Sequence, residues 1–448
     1  MDPNTGLAAT ADMETVMSAK LDRFASLFKN VVIVNDNVPL KEWVKGYLKG
    51  QSKESVAFFD CTAVLNQYKT WFHIFHNVQP FYAMKCNPSP GMMDLMSTLP
   101  DICVDCAGID EINSCLSRGI TASHIIYANP VKSDDSIEFM REHGIWCSTV
   151  DSEEEIWKMH RILGEDCKKC RTVIRLWVDD SHSKVALGSK FGCHLEEVPA
   201  ILQAMKDCEM PAVGVSFHVG SGNRDERAYE GAICNAHQVF DMAKKYGFTM
   251  NLLDMGGGWS GMLGGEEHVN SSLQLACSVI REALEKYGFN KVENLKLISE
   301  PGRYFNEQTI HMACAIERVS KKGDRTVYRI NEGVMGVFKD LLLADLKVNA
   351  VPLVDCDENT PLYKSSIIGP SNRDNDVILQ EAMLPAMKVG DHILFTGMGA
   401  YTLSLTTLTL RHAQKYVYFV HKSSLLCVSL NMGMPEHMCD RSEERRVG

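Results

Sequence analysis

From Pro80 to Pro301 the chain repeats one pattern, in which a short apolar run closes on polar or small residues and an amphipathic stretch follows. The runs are Phe81–Lys85, Ile102–Cys106, Ile125–Asn129, Trp146–Val150, Val173–Val178, Val213–Val219, Leu252–Met255 and Leu297–Glu300, eight in all. Between them, Asp110–Arg118, Asp134–His143, Leu195–Cys208, Ala228–Tyr246 and Ser272–Tyr287 have helical spacing. Strands alternating with helices predict a parallel sheet. Eight such units fit a closed, TIM-like (β/α)8 barrel. A doubly wound open sheet is the alternative, but it would normally use fewer strands.

After about residue 309 the texture changes. Ile310–Val319, Thr326–Asn331, Ser365–Ile368, His392–Thr396 and Lys415–Val420 read as strands without long helices between them, which predicts an antiparallel β domain. Asn30–Asn35 is an early strand and a candidate to join the barrel, and Val351–Tyr363 reads as a polar loop. The expected division is a cofactor-binding barrel over residues 60–309, a β domain from 25–59 and 310–425, and a charged, flexible tail over 426–448.

The 448 residues carry 46 basic and 57 acidic side chains, a net charge of −11, which argues against nucleic acid or an anionic membrane as partner. No apolar run approaches the roughly 20 residues of a membrane helix. The N-terminus lacks a basic segment followed by an apolar one, so a secretory leader is not expected. The 16 cysteines are then expected as free thiols in a reducing, cytoplasmic setting. Two Cys-x-x-Cys pairs occur, Cys103/Cys106 and Cys167/Cys170, but the first lies in a strand, where residues three apart face opposite ways. No metal site is expected.

The strand ends carry the chemistry, as catalytic residues of such barrels do. They hold Lys85, Asp105, Asn129, Asp151, Arg175, His218, Asp254 with Gly256, and Glu300. A lysine at the end of an apolar strand, as in Pro80-Phe81-Tyr82-Ala83-Met84-Lys85-Cys86-Asn87, more often snorkels to water than reacts. Its alternative use is a Schiff base with an aldehyde cofactor. Three of the ends bear glycines: His218-Val219-Gly220-Ser221-Gly222, Asp254-Met255-Gly256-Gly257-Gly258-Trp259 and Glu300-Pro301-Gly302-Arg303-Tyr304. A single cluster of this kind is usually a tight turn. Three near the last strands, one with an arginine fork, read as a phosphate cup. They match neither the P-loop nor the dinucleotide fingerprint. A Schiff-base lysine with a phosphate cup points to pyridoxal 5'-phosphate, with Glu300 opposite the ring nitrogen and His218 flat against the ring.

On these motifs the sequence resembles the eukaryotic ornithine decarboxylase and antizyme inhibitor group of fold-III pyridoxal-phosphate decarboxylases, over about residues 25 to 421. The resemblance implies that Lys85 carries the cofactor and that Asp105, Glu111 and Arg175 are the polar residues behind it. It implies His218 as the ring-stacking group and Glu300 as the partner of the pyridine nitrogen. It implies Ser221, Gly256, Gly257, Gly258, Gly302, Arg303 and Tyr401 as the phosphate set. It further implies a head-to-tail homodimer with shared active sites, in which Lys190 and Asp376 form a charged pair across the interface.

The departures lie on the substrate side. The group carries Tyr-Asp where this chain has Leu343-Ala344, and Gly-Pro-Thr-Cys-Asp where it has Gly369-Pro370-Ser371-Asn372-Arg373. In the group both aspartates hold the distal amine of ornithine and the cysteine donates a proton. The expectation is therefore a decarboxylase releasing CO2 from a neutral aliphatic amino acid, with leucine favoured, to give the primary amine. The alternatives are an ornithine decarboxylase with a rearranged pocket and a non-catalytic, antizyme-inhibitor-like regulator of polyamine metabolism. Intact cofactor residues favour an enzyme. The acidic stretch Lys132–Glu138, where the group's more basic antizyme-binding element lies, argues against antizyme binding.

Overall fold

In the computed structural model, strands from each repeat pair in sequence order and close. The structure describes residues 26, 31–50, 54–223, 225–261, 268–343, 347–406 and 415–424, with only the backbone of 268–272. The expected tail over 426–448 lies outside them.

The chain forms two compact units, one containing Lys69–Tyr304 and the other containing Ala25–Tyr68 with Phe305 onward. In the first, β1 (Val78–Ala83), β2 (Cys103–Cys106), β3 (Ile125–Tyr127), β4 (Cys147–Val150), β5 (Arg171–Arg175), β6 (Ala212–Ser216), β7 (Leu252–Asp254) and β8 (Lys296–Ser299) make a closed parallel barrel. All eight expected strands are present. Buried Ile126, Ala128, Val173, Leu252 and Ile298 form an apolar cluster on it. Gly214 has a packing reason, because a Cβ there would lie 2.1 Å from the Leu252 carbonyl oxygen on the neighbouring strand.

The intervening helices start and stop where local chemistry directs. Ser133 caps Asp134–His143 by accepting from the Ser136 N–H, and Gly144, at φ 68°, ends it. Ser152 caps Glu153–Leu163 in the same way.

The second unit is a nine-stranded sheet that is mostly but not wholly antiparallel. Val32–Val34 runs parallel to Lys415–His421, which runs parallel to Val56–Asp60. The early strand thus joins this sheet and not the barrel, because its one buried residue, Val34, packs with Val56, Phe58 and Phe419. Three strands were not evident in the sequence. Val56–Asp60 is almost continuously apolar, Val377–Pro385 is largely polar, and Asn349–Pro352 runs into the stretch read as a loop. None of them has the alternation by which a half-buried strand is recognised. Among the described residues no helix is long and apolar enough to cross a membrane, and no cluster of three or more His, Cys, Asp or Glu could hold a metal ion. Cys106 faces Cys115 at 3.7 Å between sulfurs, both as thiols.

Candidate active site

The C-terminal rim of the barrel brings the expected groups together. β1 ends at Ala83, and Lys85 lies on the single 3-10 turn Met84–Cys86 that follows, not on the strand itself. Its ammonium donates to Asp105 Oδ2 at 2.7 Å from the end of β2. The Lys85 side chain is 42% exposed, whereas that of Asp105 is fully buried, so the amine faces outward from a fixed anionic support. Glu111, on the helix Ile109–Leu116, accepts the Ala107 N–H at 2.7 Å, and burial raises its carboxyl above the usual range. The Arg175 guanidinium lies 5.0 Å from the centre of the Phe191 ring.

His218 follows β6, and its Nδ1 accepts the Gly220 N–H at 3.0 Å. Burial holds this imidazole well below its ordinary pKa, and the positive charges of Arg175 and Lys85 add to the effect. The ring is therefore neutral at physiological pH. With Nδ1 accepting, the proton is on Nε2.

Glu300 and Asp254 form a buried carboxyl pair at the ends of β8 and β7. Burial and then the Asp254 charge push Glu300 well up. Burial pushes Asp254 up to about 6, although it accepts the Gly256 N–H at 2.9 Å. Two buried carboxyls in contact cannot both ionise readily, so together they retain a proton.

The three glycine clusters lie against one another. Arg303 Nε donates to Ser221 Oγ at 3.2 Å, joining the first cluster to the third. A Cβ on Gly257 would lie 2.8 Å from both the Glu300 carbonyl oxygen and His218 Nε2. A Cβ on Gly302 would lie 3.0 Å from Cys86 and 3.1 Å from Ala83, beside the turn of Lys85. Only glycines let these segments approach so closely.

Tyr401, Leu343, Asn372 and Arg373 belong to the second unit. Tyr401 has a left-handed backbone, at φ 52°. Leu343 is 57% exposed, and Asn372 and Arg373 are exposed. Arg373 makes no ion pair among the described residues. Ala344 lies outside the described residues. Lys190 is exposed. Asp376, expected at an interface, is 3% exposed within its own unit and accepts the N–H groups of Val334 and Ser371, both at 2.8 Å. These bonds give the carboxylate a role in shaping its own loop.

The donor set fits pyridoxal phosphate. Glu300 Oε1 is buried with no hydrogen-bond partner among the described residues, as a group awaiting a ring nitrogen would be. Neither the Gly257 nor the Gly258 N–H has an acceptor there. A lysine amine, a carboxyl with a free buried oxygen, a neutral imidazole and unpaired glycine amides define a barrel enzyme built around an anionic aldehyde cofactor.

Comparison with known proteins agrees. Residues 61–307 match the family model described as pyridoxal-dependent decarboxylase, pyridoxal binding domain. A probable ornithine decarboxylase of Dictyostelium discoideum is 33% identical over 382 residues, covering 82% of this chain and 79% of its own. Antizyme inhibitor 2 of Xenopus laevis is 33% identical over 371 residues, covering 80% and 79%. The arginine decarboxylase of Paramecium bursaria Chlorella virus, solved with agmatine bound, superposes with a TM-score of 0.79 at 28% identity, covering 85% of this chain and all of that one. The chain belongs to the pyridoxal-dependent decarboxylase family; its cofactor is pyridoxal phosphate and its reaction class is that of an amino-acid carboxy-lyase.

Trp259, Tyr229 and Ser299, to which no sequence motif assigns a role, pack behind the Gly256–Gly258 run. Only the position of Trp259 next to the glycines could have drawn attention to it.

Proposed function

We propose that the chain decarboxylates a neutral aliphatic amino acid, of which leucine is the leading candidate, to the corresponding primary amine. One observation carries this reading: where the resembled group has two substrate-binding acids, this chain has Ala344 and Arg373. A desolvated substrate ammonium without a carboxylate partner costs several kcal/mol, and a neighbouring guanidinium adds repulsion. Leu343 and Ala344 instead suit an alkyl group, worth about 0.8 kcal/mol for each methylene buried. The relatives' names refer to ornithine and arginine, so a basic substrate is the competing reading.

Lys85 would hold the cofactor's aldehyde end, and Asp105, which accepts from its ammonium at 2.7 Å, orients the lysine. Glu300 would be the partner of the ring nitrogen, and neutral His218 would be the ring-stacking group, adding no charge. Ser221, Gly256–Gly258, Gly302 and Arg303 would hold the phosphate, and the resemblance adds Tyr401. When bound, the cofactor supplies an electron sink for the pair released with carbon dioxide. The buried Glu300–Asp254 pair, which retains a proton, would supply one to the ring nitrogen. Asn372 cannot donate a proton as the group's cysteine does, so Lys85 or water returns the proton to the substrate carbon. The resemblance also supports a homodimer.

The test restores the acids. Ala344→Asp with Arg373→Asp should raise activity toward ornithine relative to leucine by at least tenfold in kcat/KM. An unchanged preference would sink the pocket assignment.

A further inference from the structure

The glycine run after β7 is held from behind. The Gly256 carbonyl accepts the Glu300 N–H at 2.8 Å and the Ser299 hydroxyl at 2.6 Å. It also lies 3.4 Å from the Trp259 indole nitrogen, a marginal bond. Trp259 donates more strongly to Ser299 Oγ, at 2.8 Å. The serine hydroxyl is therefore locked, accepting from the indole and donating to the carbonyl. The next carbonyl, that of Gly257, accepts from the Tyr229 hydroxyl at 3.4 Å. The Tyr229 and Trp259 rings stack with centroids 4.7 Å apart at 12°. Trp71 and Phe75 meet Trp259 edge-on at 5.9 and 5.2 Å. Tyr229, Trp259 and Ser299 are all buried.

The C=O and N–H of a trans peptide point in opposite directions, and no peptide among the described residues is cis. Drawing the Gly256 and Gly257 carbonyls back toward Ser299 and Tyr229 therefore turns the Gly257 and Gly258 N–H groups the other way. Those are the two amides with no acceptor among the described residues, and Gly257 is buried. Buried amides are nearly always paired, so this orientation calls for a ligand acceptor. Resting on the phosphate-cup reading above, we infer that Ser299, Trp259 and Tyr229 are positioning residues that aim two backbone amides at the cofactor phosphate. They set the preference for a phosphate ester over the same ring without one.

The test compares pyridoxal phosphate with pyridoxal. Affinities for the full-length chain freed of cofactor are measured for the unaltered protein, Ser299→Ala, Trp259→Phe and Tyr229→Phe, alongside melting temperatures. Inorganic phosphate serves as a second probe, by competition. The unaltered protein should strongly prefer the phosphate ester. Ser299→Ala and Trp259→Phe should each lower the ratio of the two affinities about tenfold, the worth of one hydrogen bond to a charged group. Tyr229→Phe, losing the longer bond, should lower it less. Pyridoxal affinity should stay unchanged and inorganic phosphate should compete less well. Equal losses for both ligands, or an unchanged ratio in Ser299→Ala and Trp259→Phe, would overturn the positioning role and leave the cup standing. An unaltered protein that does not discriminate between the two ligands would overturn the cup itself.

Discussion

Lys132 gives a test of how the barrel rim is held. Its side chain is fully buried, and its ammonium donates to the Thr149 carbonyl at 2.8 Å and the Asn129 carbonyl at 3.3 Å, with Glu155 Oε1 also at 3.3 Å. Those carbonyls lie just past β3 and within β4, so one cation ties two strand ends together. Burial lowers the Lys132 pKa, against the pull of Glu155. Glu155 keeps Lys158 at 2.6 Å, so removing Lys132 does not leave that carboxylate alone. The two carbonyls left without their donor cost about 2 kcal/mol together, and the three methylenes lost to alanine add about 0.8 kcal/mol each. Lys132→Ala should therefore cost about 4 kcal/mol. Lys132→Met, which refills most of the space, should cost about 2 kcal/mol, chiefly from carbonyls left without a donor. Urea unfolding followed by circular dichroism and tryptophan fluorescence reads both as midpoint shifts at constant slope. A methionine variant as stable as the unaltered protein would refute the reasoning, because the desolvation of the ion would then cancel all that it binds.

Other perturbations test other parts of the account. Borohydride reduction of the cofactor-loaded protein should fix a pyridoxyl mass on the peptide containing Lys85, and Lys85→Ala should abolish both the adduct and the protein-bound aldehyde absorbance; an adduct on another lysine refutes the assignment. Gly257→Ala should cost about 1–3 kcal/mol from a Cβ 2.8 Å from the Glu300 carbonyl oxygen, together with weaker cofactor binding, read by thermal melting and titration. His311 is buried and held down to about 4, first by burial and then by the charge of His421. A depressed folded pKa contributes stability that is present above about 6.5 and lost as pH falls toward 4. The difference in unfolding free energy between the unaltered protein and His311→Gln should therefore shrink by about 3 kcal/mol between pH 7 and pH 4. A pH-independent difference would show that His311 does not titrate in this way.

The barrel was legible because each of its strands is an apolar run bounded by polar residues and separated by a helix-forming stretch. The rim residues were legible for the same reason: each strand end contributes one polar group, and Lys85, His218 and Glu300 stand out against apolar neighbours. The second unit was harder to read. Its parallel pairing of Val32–Val34 with Lys415–His421 joins segments nearly four hundred residues apart, which no local pattern encodes. The inward turn of Asp376 and the network of Trp259, Ser299 and Tyr229 depend on tertiary contacts between separate elements. The substrate side rests on residue identity at Leu343, Ala344, Asn372 and Arg373, where sequence supplies chemistry without geometry.

The central claim concerns which amino acid this cofactor site serves, and direct competition tests it. The cofactor-loaded protein is incubated with equimolar leucine, ornithine, lysine and arginine, and the amines formed are quantified by mass spectrometry alongside released carbon dioxide. The account predicts that the amine derived from leucine dominates. Putrescine, cadaverine or agmatine as the main product would contradict it.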